Sequence, residues 1–296
     1  MSWVLSQSEK SKLVERYKTG ELGKTLAIEF GVSCPAISGI LRRRGVKMRS
    51  QHDIQCRANC RAFADLGDAS AAYWVGFIWA DGCVTKGQLC LRINNRDKNH
   101  LQRFAGFINA NVRPSPQNTS QCSTRCRRIQ DDLSKIEIRE RKSLRNDLFP
   151  WEYIPKINLH HFWRGVVDGD GYYGICGPRV HRIELCGNQS TCEAFCNWCG
   201  FGSVTTMKMI YRCAISAWDE CKNVISALYE GSELSLDRKA AVAAEIVRRT
   251  RPQRPQRLCD HEGCEQPHYG HGLCSRHWYK TYASEKRHLR YVSLGK

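Results

Sequence analysis

Residues 73–82 read YWVGFIWADG, and residues 162–171 read FWRGVVDGDG. Aligned, the two segments share an aromatic pair, a glycine, two apolar residues, a small residue and a final Asp-Gly. On a helix, the glycine and the small residue lie four positions apart, so each helix would carry a stripe where a neighbouring backbone can come unusually close. These stripes are Gly76 with Ala80 and Gly165 with Gly169. The pattern therefore predicts two matching helices that can pack through their small residues.

The two aspartates near the ends of these segments, Asp81 and Asp170, would then lie side by side at helix C-termini. A carboxylate there opposes the helix macrodipole, and two close carboxylates raise each other's pKa. A divalent cation resolves both problems, because Mg²⁺ takes carboxylate oxygens and metal-bound water can attack a phosphodiester. We therefore predict a Mg²⁺ or Mn²⁺ site formed by Asp81, Asp170, Gly82 and Gly171, with Asp81 and Asp170 as the catalytic residues.

A single segment of this kind has two simpler interpretations. It would suit a tight glycine-rich turn after a core helix. The second copy also approaches a calcium loop, but Tyr172 stands where that loop needs an oxygen ligand. Two copies 89 residues apart indicate an internal repeat instead.

The two segments resemble the dodecapeptide of the LAGLIDADG homing endonucleases, and the resemblance spans about residues 70–245. Further matches are Phe149-Pro150, Ile154-Pro155, Leu228-Tyr229 and Leu236-Asp237-Arg238-Lys239. The resemblance implies an α+β fold of two αββαββα repeats, with the motif helices at a pseudo-two-fold axis and two saddle-shaped sheets along DNA. It places the metal-binding acids on Asp81 and Asp170. The first copy departs from the pattern at Trp79, where the family often has another aspartate, but that position is not the metal ligand.

The resemblance also implies a basic residue near each catalytic centre, after the last strand of each repeat. Arg141 or Lys142 meets this expectation in the first repeat. The second repeat has Ser216-Ala217-Trp218 at that place, which predicts an asymmetric pair of centres.

Apolar and polar residues alternate in four segments, which predicts antiparallel strands with one face on helices and the other polar. These segments are 88–94, 135–139, 182–185 and 211–215. In the family the polar face reads the major groove, where arginine suits guanine and asparagine or glutamine suits adenine. The expected DNA contacts are Gln88, Arg92, Asn94, Lys135, Arg139, Arg141, Lys142, Arg182 and Arg212. A merely solvated polar face is the alternative.

Residues 9–47 predict three helices, with Pro35 in the first turn of the third, where its missing N–H costs nothing. The stretch LAIEFGVSCPAISGILRRRGV, residues 26–46, resembles the helix-turn-helix of resolvases and invertases. That geometry puts the third helix in the major groove. The expected base contacts are Ser33, Ala36 and Ser38, and the expected phosphate contacts are Arg42, Arg43 and Arg44. An ordinary small helical bundle is the alternative.

Near the C-terminus, Cys259-x4-Cys264-x9-Cys274-x2-His277 has the ligand types and spacing of a closed, structural zinc site. So short a segment has little core of its own, so zinc binding would supply its stability. The segment resembles the small zinc knuckles appended to phage-type nucleases. Other cysteines at helical spacing are predicted to be buried thiols, with a second zinc as the alternative. They are Cys192, Cys196 and Cys199, and the pairs Cys56/Cys60 and Cys122/Cys126.

The charge of the 296-residue chain is concentrated at its ends. Of the net charge of +17, residues 1–50 carry +6 and residues 248–296 carry +7. Basic ends around a nearly balanced centre favour a polyanionic partner, since each phosphate contact releases counterions. A solvated basic surface or attraction to a membrane surface is the alternative.

The composition also bears on the compartment. With 42% apolar residues, the chain can form a core, and it has no apolar run long enough for a membrane span. No secretory signal is apparent at the N-terminus, so we expect a cytoplasmic protein of a prokaryotic or phage-infected cell. Its seventeen cysteines are then expected to be metal ligands and buried thiols rather than a disulfide framework.

These observations predict six regions. They are a helix-turn-helix over 1–50, a linker over 51–69, repeats over 70–150 and 151–247, a basic linker over 248–258 and a zinc module with a basic tail over 259–296. The expected function is that of a monomeric, site-specific double-strand DNA endonuclease of the homing type. Two alternatives stay open: a non-catalytic DNA-binding regulator on the same fold, and an RNA maturase for intron splicing. A helix-turn-helix favours duplex DNA, because the major groove of A-form RNA excludes a helix.

Overall fold

The computed structural model describes residues 5–48, 56–85, 87–208, 210–253 and 256–282. The predicted basic tail over 283–296 and the first part of the predicted linker, 51–55, lie outside the described residues. The chain divides into two compact units, Met1–Arg249 and Thr250–Lys296.

The first unit begins with three short helices. They are α1 (Gln7–Lys18), α2 (Gly23–Glu29) and α3 (Cys34–Arg43). Ser6 opens α1 with a capping box, in which its hydroxyl accepts from the backbone N–H of Glu9 and the Glu9 carboxylate accepts from that of Ser6. The helices bury a small apolar cluster around Leu13, Leu26 and Leu41. The three predicted helices are thus present.

The turn between α2 and α3 comprises residues 30–33, and Gly31 adopts a left-handed φ of +62° there. The two helix axes bend by 109° across this turn. In the described parts of the chain, no single helix has the length and apolar character to cross a membrane. Among the described residues, only α2 and α3, counted together across their bend, are long and apolar enough by length and composition alone.

Two similar blocks of helices and strands follow. The first contains α4 (Ala69–Asp81), β1 (Gly82–Thr85), β2 (Gln88–Asn94), α5 (Lys98–Ile108), β3 (Val112–Ser115), β4 (Thr119–Thr124) and α6 (Arg127–Lys135). The second contains α7 (Leu159–Asp170), β5 (Gly171–Ile175), β6 (His181–Gly187), α8 (Gln189–Cys199), β7 (Ser203–Met207), β8 (Ile210–Ile215) and α9 (Trp218–Tyr229), with α10 (Asp237–Arg248) after it. The predicted αββαββα order is therefore present in both blocks.

Each block has one four-stranded antiparallel sheet. The strand orders are β1-β2-β4-β3 and β5-β6-β8-β7, so the two sheets share one topology. Along β2, Leu89, Leu91 and Ile93 are buried while Arg92 and Asn94 are exposed. The predicted alternation of an inner apolar and an outer polar face is confirmed there, and the same holds for β6 and β8.

The predicted strand over 135–139 is wrong. Lys135 is the last residue of α6, and residues 136 and 137 form a turn, with Glu137 at a left-handed φ of +64°. Ile136 and Ile138 are both buried because the chain turns between them, and the Ile138 N–H donates to the Leu133 carbonyl. The remaining strands of the first sheet are β3 and β4, which come before this segment.

The second unit has a short hairpin of β9 (His268–Gly270) and β10 (Leu273–Cys274). Residues 275–282 are helical and follow the hairpin directly. An isolated bridge joins Leu258 to Pro267. The described part of this unit is small, and its buried side chains include Cys259 and Cys274.

Candidate functional site

The two motif helices, α4 and α7, touch backbone to backbone at their glycines. A Cβ placed on Gly76 would lie 2.0 Å from the Phe162 carbonyl oxygen, and one on Gly165 would lie 2.1 Å from the Tyr73 carbonyl oxygen. Phe162 stands at the same position in the second motif as Tyr73 does in the first. The predicted small-residue contact is therefore present, and it is reciprocal.

The helices also touch one turn further on, at Gly169 and Ala80. A Cβ on Gly169 would meet the Ala80 Cβ at 2.3 Å and the Asp81 Oδ2 at 3.5 Å. The C-terminal end of α7 thus lies directly against the C-terminal end of α4. Asp81 and Asp170 are the last residues of the two helices, so the packing brings their carboxylates into one site.

Gly82 and Gly171 end the two helices and begin β1 and β5. Both have extended backbone angles, so the glycine is not needed for a left-handed turn. It is needed for space, because a Cβ would lie 2.6 Å from the carbonyl oxygen four residues earlier, that of Ile78 or Val167. The geometry is the same at both helix ends, and it lets the chain pass directly from each helix into a strand.

The carboxylates of Asp81 and Asp170 reach solvent, yet protein surrounds much of each. Burial, and next the charge of Asp81, raise the pKa of Asp170 to about 6. Burial also raises the pKa of Asp81, against the opposing charges of Lys239 and Lys142. Among the described residues, neither carboxylate has a hydrogen-bond donor or an ion-pair partner. The pair therefore offers several free oxygens at one place, which is the donor set that Mg²⁺ or Mn²⁺ takes.

A lysine stands behind each helix end. The Lys142 Nζ donates to the carbonyls of Trp79 and Ala80. The Lys239 Nζ donates to the carbonyls of Val167, Gly169 and Gly171, at 2.7, 3.1 and 2.6 Å. Both lysines are buried, at 4% and 6% exposure. Because the last carbonyls of a helix lack partners within the helix, each ammonium satisfies them and offsets the negative end of the dipole.

This arrangement resolves the prediction about basic residues. Of the two candidates in the first repeat, Lys142 lies at the end of the first motif helix, whereas Arg141 is exposed and has a left-handed φ of +55°. The predicted asymmetry is wrong, since Lys239 serves the second helix end from α10 rather than from the segment after β8. Lys239 belongs to the Leu236–Lys239 match, but it lies well beyond Trp218 in the sequence.

Asp168 connects the second centre to the first motif helix. Its Oδ2 accepts from the Tyr73 hydroxyl at 2.8 Å and from the Leu236 N–H at 2.8 Å. Burial raises the pKa of Asp168 to about 6. Leu236 directly precedes α10, so this carboxylate fixes the start of the helix that carries Lys239. The equivalent position in the first motif is Trp79, whose indole N–H donates to the Thr191 hydroxyl in α8.

The polar faces of the two sheets hold five of the nine DNA contacts expected between residues 88 and 212. Gln88, Arg92 and Asn94 share the outer face of β2, and the Arg92 guanidinium donates to the Gln121 amide oxygen at 3.1 Å. On the second sheet, Arg182 and Arg212 both pair with Glu184, at 3.5 and 3.2 Å. The other four, Lys135, Arg139, Arg141 and Lys142, are not on a sheet. Lys135 ends α6 and pairs with Asp132, and Arg139 lies beyond the turn that follows it.

In the N-terminal module, Ser33 caps α3, its hydroxyl accepting from the Ala36 N–H at 3.3 Å. Ala36 and Ser38 are half-buried on α3. The basic residues Arg42, Arg43 and Arg44 are exposed at its C-terminal end. The candidate base contacts thus lie toward the start of α3, and the candidate phosphate contacts lie at its other end.

The four predicted zinc ligands of the second unit converge. The Sγ atoms of Cys259, Cys264 and Cys274 and a ring nitrogen of His277 all lie within 4.8 Å of one another. The Cys264–Cys274 sulfur distance is 3.8 Å, and His277 Nδ1 lies 3.2 and 3.4 Å from the sulfurs of Cys259 and Cys274. Tetrahedral zinc at ordinary bond lengths separates its ligand atoms by about 3.5–3.8 Å. The residues therefore fit a zinc ion.

The remaining cysteines behave in three ways. Cys196 does not have a free thiol, contrary to prediction, because it forms a disulfide with Cys213 across a Cα–Cα distance of 6.6 Å. The inner face of β8 presents Cys213 to α8, which explains the pairing. Cys192 and Cys199 are free thiols that point to different backbone carbonyls, so the α8 trio is no metal site. Cys122 is a buried thiol, as predicted.

No family model matches the sequence, and no curated protein matches it. Among solved structures, the chain is similar to the LAGLIDADG meganuclease I-AabMI bound to uncleaved DNA, at 10% identity and a TM-score of 0.46, over 59% of this chain and 89% of that one. It is also similar to the meganuclease I-SmaMI bound to uncleaveable DNA, at 11% identity and a TM-score of 0.46, over 60% and 89% of the two chains. I-SmaMI bound to cleaved DNA gives 11% identity and a TM-score of 0.42, over 60% and 88%.

Proposed function

We propose that the protein is a site-specific double-strand DNA endonuclease of the LAGLIDADG homing type. The observation that carries this proposal is the pair of carboxylates, Asp81 and Asp170, held together at the ends of two packed helices without a protein partner among the described residues. Two close, desolvated acids cost free energy in the folded chain unless a cation binds them. A scaffold that served only to bind DNA would gain nothing from them.

In this proposal Asp81 and Asp170 hold Mg²⁺ or Mn²⁺, which would supply an activated water and steady the leaving oxygen. Gly82 and Gly171 let the chain leave each helix directly after the aspartate. Lys142 and Lys239 hold the two helix ends in place through their carbonyls, so that each aspartate keeps its position. One centre for each repeat would allow one cut in each strand.

The outer sheet faces and the basic ends would supply the DNA-binding surface. Arg92, Arg182 and Arg212 lie on the two sheets with polar partners that base edges can replace. A four-residue turn and a 109° bend between α2 and α3 are within the usual range for a helix-turn-helix, which supports a major-groove role for α3. Duplex DNA would be the partner, and a single chain would suffice because both repeats are internal.

The second unit would fold around a structural zinc ion. Cys259, Cys264, Cys274 and His277 have the donor types and the separations of a closed tetrahedral site. Zinc binding would then provide most of the folding free energy of this small unit.

Plasmid cutting with matched variants tests the catalytic proposal. The substrate is a set of supercoiled plasmids carrying DNA from the two sides of the gene, assayed with Mg²⁺ and with Mn²⁺. Asp81→Asn and Asp170→Asn should each abolish double-strand cutting while gel-shift affinity stays close to that of the wild type. Asp131→Asn, an exposed acid on α6, removes the same charge and should cut normally.

The possible outcomes separate the alternatives. Cutting at the wild-type rate by either active-site variant would show that this acid is not a metal ligand. A wild-type protein that binds a selected duplex tightly but never cuts it would be a regulator. Tighter binding to structured RNA than to any duplex would favour the maturase.

A further inference from the structure

Three cysteines from two distant parts of the first unit converge on one point. The Sγ atoms of Cys56, Cys60 and Cys126 all lie within 4.8 Å of one another, and those of Cys60 and Cys126 are 3.3 Å apart. Cys56 and Cys60 precede the first motif helix, whereas Cys126 follows β4. Cys126 lies 66 residues beyond Cys60 in the sequence, so the trio is a product of the fold.

Hydrogen bonds to fixed backbone hold both parts in place. The Asn59 N–H donates to the Ile108 carbonyl at 2.8 Å, and the Asn109 side chain donates to the Arg57 carbonyl at 2.6 Å. These bonds fasten residues 57–59 to the end of α5. The Cys126 N–H donates to the Thr124 hydroxyl at 3.1 Å, which fixes the residue at the start of α6. The three thiols are therefore preorganised by the protein.

The surroundings differ from those of a thiol that is simply part of the core. Cys126 is buried, while Cys56 and Cys60 are half-buried beside a cavity that Arg61, Arg127 and Arg128 also line. By contrast, Cys122 on β4, four residues before Cys126, is wholly buried in the core beneath the first sheet. Three sulfurs at the edge of a cavity form a place where thiolates can hold a soft divalent metal.

We propose that Cys56, Cys60 and Cys126 form a second zinc site. On binding, the three thiols lose three protons and donate three thiolate sulfurs to the ion. The described residues supply these three ligands, and water completes the tetrahedron. The cavity beside the site is also lined by Tyr17, Thr19 and Met48 of the N-terminal module. The ion therefore ties the segment that follows this module to the first repeat.

Metal counting on the full-length protein tests the proposal. Purified wild-type protein should contain two zinc ions per chain by elemental analysis, one at each cluster. Cys56→Ser and Cys126→Ser should each retain one, and so should Cys274→Ser in the second unit. The double variant Cys126→Ser/Cys274→Ser should retain none. Cys34→Ser, an exposed thiol in α3, is the matched control and should retain two.

Cobalt substitution keeps the proposal testable if a cysteine variant fails to fold. Each proposed site has three thiolates, so the wild type should bind two equivalents of cobalt with similar thiolate-to-cobalt absorption at each. Cys274→Ser should therefore show about half of the wild-type absorption. One metal per chain in the wild type, lost on Cys274→Ser, would overturn the second site. Recovery of Cys60 and Cys126 as a disulfide in protein purified with zinc would overturn it as well.

Discussion

Replacing Gly76 with alanine tests the close contact between the two motif helices. The new Cβ would lie 2.0 Å from the Phe162 carbonyl oxygen and 3.1 Å from the Val166 backbone nitrogen. Carbon and oxygen do not approach within about 3 Å, so α4 and α7 must separate by about 1 Å or more. Both of the near atoms are backbone, so no side-chain rotation can relieve the clash.

The expected magnitude follows from two opposing effects. Overpacking of a tight core costs about 1–3 kcal/mol, while exchange of glycine for alanine in a helix gains up to about 1 kcal/mol. Gly76→Ala should therefore lower the free energy of unfolding by about 1–2 kcal/mol. Gly106→Ala on α5 is the matched control, because its Cβ meets nothing within 4 Å, and it should raise the free energy of unfolding by about 0.5–1 kcal/mol.

Urea unfolding followed by tryptophan fluorescence provides the measurement. Three of the eight tryptophans, Trp74, Trp79 and Trp163, lie on α4 and α7, so the signal reports on this interface. Gly165→Ala should behave like Gly76→Ala, since its Cβ meets the Tyr73 carbonyl oxygen at 2.1 Å. If Gly76→Ala and Gly106→Ala prove equally stable, the backbone contact described here is absent in solution.

Three further predictions concern the site and the ends of the chain. Lys239→Met and Lys142→Met should each lower the free energy of unfolding by about 3 kcal/mol, because buried carbonyls lose a charged donor. Each variant should also nick supercoiled plasmid faster than it linearises the plasmid. Equal rates of nicking and linearisation would contradict a separate role for each lysine at its own helix end. Because the pKa of Asp170 is raised to about 6, protons should compete with the cation below that pH. Mg²⁺ affinity measured by titration should therefore fall as the pH drops through 6, and Asp170→Asn should both lower this affinity and weaken its dependence on pH. Deleting residues 1–50 or 250–296 should flatten the plot of log affinity against log salt by about 0.9 for each lost phosphate contact, and an unchanged slope after both deletions would show that the ends bind some other partner.

The sequence was informative where its hydropathy followed one regular period. The paired motif predicted α4 and α7, and strict alternation predicted β2, β6 and β8. It failed for β4, whose buried residues are Ser120, Cys122 and Thr124. Small and weakly polar side chains on the inner face leave little contrast with the outer face, so the alternation is nearly invisible.

The predicted strand at 135–139 failed for the opposite reason. Ile136 and Ile138 alternate with charged residues, but Ile129 and Leu133 extend the apolar pattern backwards at helical spacing. Only the tertiary fold shows that the first isoleucine ends a helix and the second follows a turn. Lys239 could not be assigned from the sequence for a similar reason. It lies on α10, the second helix after β8, and no local pattern links it to Gly171.

The backbone contact at Gly76 and Gly165 separates two properties that a DNA-cutting enzyme must keep apart. It sets the spacing of Asp81 and Asp170 without using any side chain of the sheets. The sheet residues Arg92, Arg182 and Arg212 contact other side chains of their own faces. If the proposed function holds, substitutions on those faces can change which sequence is recognised while the geometry of the cut stays the same. The contact between α4 and α7 would then stay constant, while the outer faces of the two sheets could change as the protein evolves toward new DNA targets.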